Sequence, residues 1–313
     1  MKVGLIDVDG HNFPNIPLMK ISSYHKSKGD SVEWYEPMFS GHMDRVYMSK
    51  VFSNTPDYEY CIDADEIFRG GSGYAIFLVD GKEVFDQTKD KNLPDEIEHI
   101  YPDYSLYPHL TKDTAYGFLT RGCPRQCGFC HTSVKDGTVS KKVADLDEFW
   151  NGQKNIVLLD QNILACKDKI DLLEQLAKSK ANVTFNGGLD VRLVTGEVLE
   201  LLKQIKVKTI HFAWDDYKQK DIIIDRLMFV HENSKWNRQK VSVYVLTNFD
   251  TTWEQDIERV EFIGRVVDFQ PYVMIYNKPK ANIKYKYLQR YAQPRIFWKL
   301  NSFDDYKNAK GKL

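Results

Sequence analysis

From about residue 111 onward, short apolar segments alternate with helix-length amphipathic ones, and this alternation restricts the fold more than any other feature. Segments 115–119, 155–159, 182–185, 208–214, 241–246 and 270–276 read as strands. Between them, 171–177, 196–205, 221–233 and 252–264 carry helical spacing, with Thr195 as a cap. Six β–α units in series predict an α/β fold with a parallel sheet and helices outside it. Right-handed crossovers curl such a sheet into a partial (β/α)6 barrel. Functional groups in these folds collect at the C-terminal strand ends.

The first of these strands runs into a cysteine-rich loop. The chain holds five cysteines, and three of them, Cys123, Cys127 and Cys130, fall in one C-x3-C-x2-C stretch. Three thiolates leave one position of a four-iron cluster uncapped, whereas an electron-transfer cluster is capped four times. An open metal position is where chemistry takes place. Gly122 and Gly128 allow close backbone wrapping, Pro124 stiffens the turn, and Arg121 and Arg125 set positive charge beside thiolates. The alternative is a structural Cys3His zinc site that adds His131, although adjacent Cys130 and His131 make an awkward tetrahedral pair. Cys61 and Cys166 stand apart and read as inert thiols.

The C-x3-C-x2-C loop, with Phe129 just before its third cysteine, resembles the signature of the radical S-adenosylmethionine (SAM) enzymes. The resemblance implies a 4Fe-4S cluster on Cys123, Cys127 and Cys130, with SAM on the open iron. It also implies reductive cleavage of SAM to a 5'-deoxyadenosyl radical that abstracts hydrogen from a substrate. A flavodoxin or ferredoxin-type electron donor follows from the same resemblance. Residues at the expected strand ends are then candidates for holding SAM: Phe129 near the adenine, Asp160 and Gln161 for the amino group, and Gly187 and Gly188 for close backbone approach. Arg192 is expected to grip the SAM carboxylate through its planar fork, and Trp214 and Asp216 complete the set. The family's glycine-glycine-glutamate element after the second strand is replaced here by Asp160-Gln161-Asn162. No catalytic residue is assigned.

Residues 1–110 read as a small Rossmann-like domain and linker, with strands at 2–7, 31–34, 44–49 and 66–69 and a helix at 17–26. This part resembles the cobalamin-binding-type domain that precedes the core in one radical SAM subgroup. That pattern is D-x-H-x-x-G, then S-x-L, then G-G. The chain offers Asp9-Gly10-His11-Asn12-Phe13-Pro14, then Ser49-Lys50-Val51, then Gly70-Gly71. Pro14 and Val51 depart from it, and 51–66 leaves little room for a helix. A vestigial domain that keeps the topology without cobalamin is preferred over cobalamin-dependent methylation. Asp80-Gly81 reads as a hairpin turn, and 90–108 as a linker.

The expected barrel occupies 111–278, and 279–313 forms a basic, aromatic C-terminal segment. From Lys278 on there are ten Lys or Arg against Asp304 and Asp305. Interleaved aromatics in a basic stretch can stack on single-stranded nucleic acid; a capping role, with rings inward and lysines in solvent, is preferred, and 287–291 reads as a helix with Tyr287, Leu288 and Tyr291 inward. Across 313 residues the net charge is −1, against a general nucleic-acid coat. The substrate is therefore expected to be a small molecule, peptide or protein. Methylthiolation of tRNA is disfavoured, since relatives that perform it carry three further cysteines. No apolar run reaches transmembrane length, the first nine residues are broken by acids too early for a signal peptide, and free clustered thiols suit a reducing cytosol. A non-catalytic zinc-binding interaction protein remains the reading of a different class.

Overall fold

In the computed structural model, which describes residues 1–79 and 82–310, the chain divides into two compact units, Met1–Leu159 and Asp160–Leu313. The first opens with β1 (Lys2–Asp7), α1 (Ile16–Ser27), β2 (Ser31–Trp34), β3 (Met43–Ser49) and β4 (Ala64–Gly70). These strands form a parallel sheet in the order β2-β1-β3-β4. β1 is apolar on both faces because both are covered. Val3 and Leu5 pack on Leu18 and Ile21 of α1, and Ile6 packs with Met43, Val46 and Met48. α1 starts where it does because the Asn15 side chain accepts the Leu18 amide at 3.3 Å and Pro17 sits in the first turn. Only the β1–β2 connection carries a helix; 35–42 and 50–63 are helix-free, as the short interval predicts.

The rest of this unit holds the antiparallel hairpin β5 (Ile76–Val79) and β6 (Lys82–Phe85); its expected Asp80-Gly81 turn lies outside the described residues. Short helices α2 (Asp95–Glu98) and α3 (Pro108–Thr111) lead to β7 (Thr114–Gly117). β8 (Thr120–Arg121), α4 (Thr132–Lys135) and β9 (Lys141–Lys142) precede β10 (Asn155–Leu158), which pairs parallel to β7. The strand expected over 115–119 is thus broken. It stops at Gly117, and the Leu119 carbonyl turns to accept the Val143 amide at 2.8 Å from the returning chain.

The second unit follows the expected alternation closely: α5 (Lys169–Ser179), β11 (Asn182–Phe185), α6 (Gly196–Gln204), β12 (Lys206–Val207), β13 (Ile210–Ala213), α7 (Lys220–Ser234), β14 (Val241–Thr247), α8 (Trp253–Glu261) and β15 (Gln270–Ile275). β11 pairs parallel with β12, and β13, β14 and β15 form a parallel sheet in sequence order. Thr195 caps α6 as expected, and Thr252 with Gln255 forms a capping box on α8. The chain is mixed α/β with several parallel sheets. Among the described residues, no helix is long and apolar enough to cross a membrane.

α9 (Ile283–Tyr291), α10 (Pro294–Phe297) and α11 (Phe303–Lys310) complete the chain. α9 lies along β15, where Gln289 Nε2 donates to the Val273 carbonyl at 2.8 Å. Tyr285, Tyr291, Phe297, Phe303 and Tyr306 are buried and pack against one another and Trp253. Tyr285 rather than Tyr287 faces inward with Leu288 and Tyr291. These rings are enclosed by their own unit, so they present no stacking platform for bases.

Candidate functional site

The three clustered thiols lie on the excursion between β8 and β9, whose antiparallel pairing closes its base. Gly122 enters it with φ +91, and a Cβ there would stand 2.3 Å from the Val139 carbonyl oxygen. Only glycine fits that crossing. The backbone then coils tightly: the Cys123 amide donates to Gly137 O at 3.1 Å, Cys127 to Arg125 O at 2.7 Å, and Cys130 to Cys127 O at 3.0 Å. The Arg125 amide points at Cys123 Sγ, 3.4 Å away. Cys123 and Cys127 are half-buried and Cys130 is exposed. Arg121 contacts Glu98 at 3.3 Å and Asp136 at 3.8 Å, and its guanidinium lies over the Phe118 ring. His131 turns to Glu83 at 3.4 Å and towards the Phe85 ring. Phe129 is half-buried beside the third thiol. Among the described residues, no three His, Cys, Asp or Glu side chains are gathered closely enough to hold a metal ion.

In the second unit, loop 160–162 meets loop 186–192. Gly187 packs on the first of these so closely that a Cβ would lie 2.1 Å from the Asp160 carbonyl oxygen. The glycine is thus required by a neighbouring backbone. Asn162 Nδ2 reaches Asp190 Oδ2 at 3.4 Å, and Asp160 is buried, with Gln161 partly so. Gly188 adopts φ +77 and passes 3.3 Å from His211 O, measured from the position of a Cβ. The expected fork of Arg192 is already engaged: Nε meets Asp190 Oδ1 at 2.6 Å and Nη2 meets Oδ2 at 3.1 Å. A SAM carboxylate there would have to share or displace Asp190.

The expectation for Trp214 changes. Its indole is 0% exposed and packs edge-on to Phe262 with ring centroids 5.8 Å apart, so it is a core ring rather than a ligand surface. Strand alternation sends it inward with Phe212. Asp216 caps the next turn, accepting the Lys218 amide at 2.9 Å. Its neighbour Asp215 accepts the Leu246 amide at 2.9 Å, and burial pushes its carboxyl above the usual range. His211 and Tyr244 were unassigned. They stack with centroids 5.1 Å apart, and burial lowers the imidazole pKa. Their position on the face opposite Phe212 was available from the period-two pattern.

The C-terminal edge of the N-terminal sheet carries the cobalamin-type pattern, and each part of it has an internal partner. The His11 ring lies 4.3 Å from Trp34 and 5.7 Å from Tyr107. Ser49 Oγ accepts from Asn15 Nδ2 at 2.8 Å. Gly71 is demanded by the Lys50 carbonyl, 2.2 Å from where a Cβ would be. These are contacts within the chain, and His11 itself stays exposed.

Asp7 on that edge accepts the Tyr107 hydroxyl at 2.8 Å, and burial pushes its carboxyl up from 3.8 to about 6. Below about pH 4 both folded and unfolded chains hold this proton. Between about 4 and 6 the unfolded chain releases it and the folded chain keeps it, so the folded state loses stability as pH rises. The difference amounts to about 3 kcal/mol and is fully present above pH 6. Asp7→Asn keeps an acceptor for Tyr107 and removes the ionisation. Its stability advantage over the native chain should widen from pH 4 to pH 6 in urea titrations and then level off; an advantage that does not change with pH would refute the assignment.

No model of a known protein family matches the chain, and no curated protein matches it.

Proposed function

We propose that this chain is a radical SAM enzyme with a partial-barrel core, acting on a small molecule, peptide or protein in a reducing cytosol. The observation that carries the reading is the C-x3-C-x2-C loop, entered through a crossing that only glycine fits. The donor set suits a cluster with three protein caps: three soft thiolates, a backbone amide aimed at one sulfur, and exposed or half-exposed side chains that can converge by rotamer change at small cost. When bound, a 4Fe-4S cluster and SAM supply a reductively generated carbon radical for hydrogen abstraction. The chain's own contribution is to hold three thiolates and leave a fourth position open. Within the second unit, Asp160, Gln161, Gly188 and Arg192 remain the candidates for SAM, with Asp190 holding the plane of the arginine fork. Burial disfavours the charged forms of Asp215 and His211 beside that rim, so they suit a neutral ligand surface. A flavodoxin or ferredoxin-type protein would deliver the electron.

Cobalamin-dependent methylation has no support in the packing around His11. In the zinc reading, His131 would have to leave Glu83, 3.4 Å away, to serve as the fourth ligand. Anaerobic reconstitution followed by metal analysis tests the proposal. About four irons per chain are expected; one zinc and no iron would overturn it.

A further inference from the structure

We propose that β4 is the surface through which two copies of this chain associate, pairing antiparallel about a two-fold axis at Ile67. A sheet edge offers a row of unpaired amides and carbonyls, and proteins normally blunt it. The other edges of the four- and three-stranded sheets are short or blunted, β12 having only two residues. On β7 the Tyr104 hydroxyl accepts the Tyr116 amide at 3.1 Å. On β15 Gln289 covers Val273. On β13 the Leu189 amide binds His211 O at 2.7 Å. β2 is only four residues long, and its Trp34 is packed against His11 and Tyr107.

β4 has no such cover. It runs for seven residues, Ala64–Gly70, with five consecutive exposed positions. Ile67 is 38% exposed and Phe68 43%. Among the described residues, nothing hydrogen-bonds to the outer side of its backbone. Its neighbour on the inner side, β3, pairs with it in parallel from Met43↔Ala64 to Ser49↔Gly70.

The sequence of β4 is self-complementary in one register. A two-fold axis normal to the sheet keeps every side chain on its own face, so the axis must pass through a residue position. Only Ile67 as centre overlaps all seven residues. That register sets Asp65 opposite Arg69 of the second copy, twice by symmetry, on the face that also carries Ile67. On the other face Glu66, already paired with Arg45 at 2.6 Å, stands opposite Phe68 of the second copy. The two Phe68 rings take diagonal positions, within reach of aromatic side chains. Asp65 also touches His42 Nε2 at 3.2 Å, and this contact lies on its own chain. Two four-stranded sheets joined in this way become one continuous sheet.

Sedimentation equilibrium of the full chain across the micromolar range should show a reversible dimer. Asp65→Lys places like charges opposite each other at two symmetric positions and should raise the dimer dissociation constant at least about tenfold. Arg69→Glu should do the same. The double variant Asp65→Lys/Arg69→Glu restores both pairs with reversed sign and should return the constant to near the native value. Both positions are solvent-exposed, and far-UV circular dichroism confirms that each variant folds. A chain that stays monomeric, or a dimer indifferent to these charges, overturns the proposal; neither result bears on the thiol loop.

Discussion

Cys127→Ala abolishes the formation of 5'-deoxyadenosine from SAM under dithionite, while leaving the fold intact. Cys127 is the central member of the triplet, held by its amide to Arg125 O at 2.7 Å and by its carbonyl to the Cys130 amide at 3.0 Å. Those are backbone contacts that alanine keeps. The substitution therefore removes the sulfur and keeps both of these contacts. Two remaining thiolates cannot cap a cluster that needs three. The loss should exceed the roughly 100-fold that follows removal of an outer partner of a metal ligand. Global stability should move by no more than about 0.5 kcal/mol, because the side chain is half-exposed in a loop. Cys61→Ala, exposed and remote in sequence from the loop, serves as the control and should retain full output. Undiminished 5'-deoxyadenosine from Cys127→Ala would remove the site assignment.

Arg259→Met should lower stability by about 3–5 kcal/mol, a loss on the scale of truncating a large core side chain. The guanidinium is 0% exposed. It donates to Trp214 O at 2.5 Å, to Leu246 O at 2.8 Å and to the Asp256 carboxylate. It thereby ties the C-terminal ends of β13 and β14 to α8, at the rim where Asp215 lies. Methionine preserves the apolar stem, leaves two carbonyls without this donor, and leaves the buried Asp256 carboxylate with the Thr251 hydroxyl at 2.6 Å but without the guanidinium charge. Burial already raises the Asp256 carboxyl above its usual range, against the pull of the guanidinium. Without Arg259 that carboxyl should take up a proton. Adding Asp256→Asn should therefore recover part of the loss, since the two residues form one network. The urea midpoint reports both steps, and an unchanged midpoint for Arg259→Met would show that the network is dispensable.

Several parts of the site were legible in the chain itself. The spacing of Cys123, Cys127 and Cys130 is local. So are the cap at Thr195 and the strand–helix alternation of the second unit. Other expectations met a different environment. Trp214 looked like a rim residue and became core, because alternation along β13 put it on the helix-covered face. Gly187 looked like room for a ligand, and its neighbour is the Asp160 backbone. Arg192 looked free to grip a carboxylate, and Asp190 two positions earlier holds its fork. Arg259 and Asp256, three residues apart on α8, resemble an ordinary surface ion pair in sequence; both are fully buried.

Sequence alone determined the periodicity, the caps and the thiol spacing, because each depends on residues within a few positions of one another. Tertiary structure alone decided which polar groups are buried, which glycines answer to a distant carbonyl, and which sheet edge is left bare. Those outcomes depend on segments far apart along the chain, as when Tyr107 meets Asp7 across 100 positions, and no local pattern encodes the free energy of that meeting.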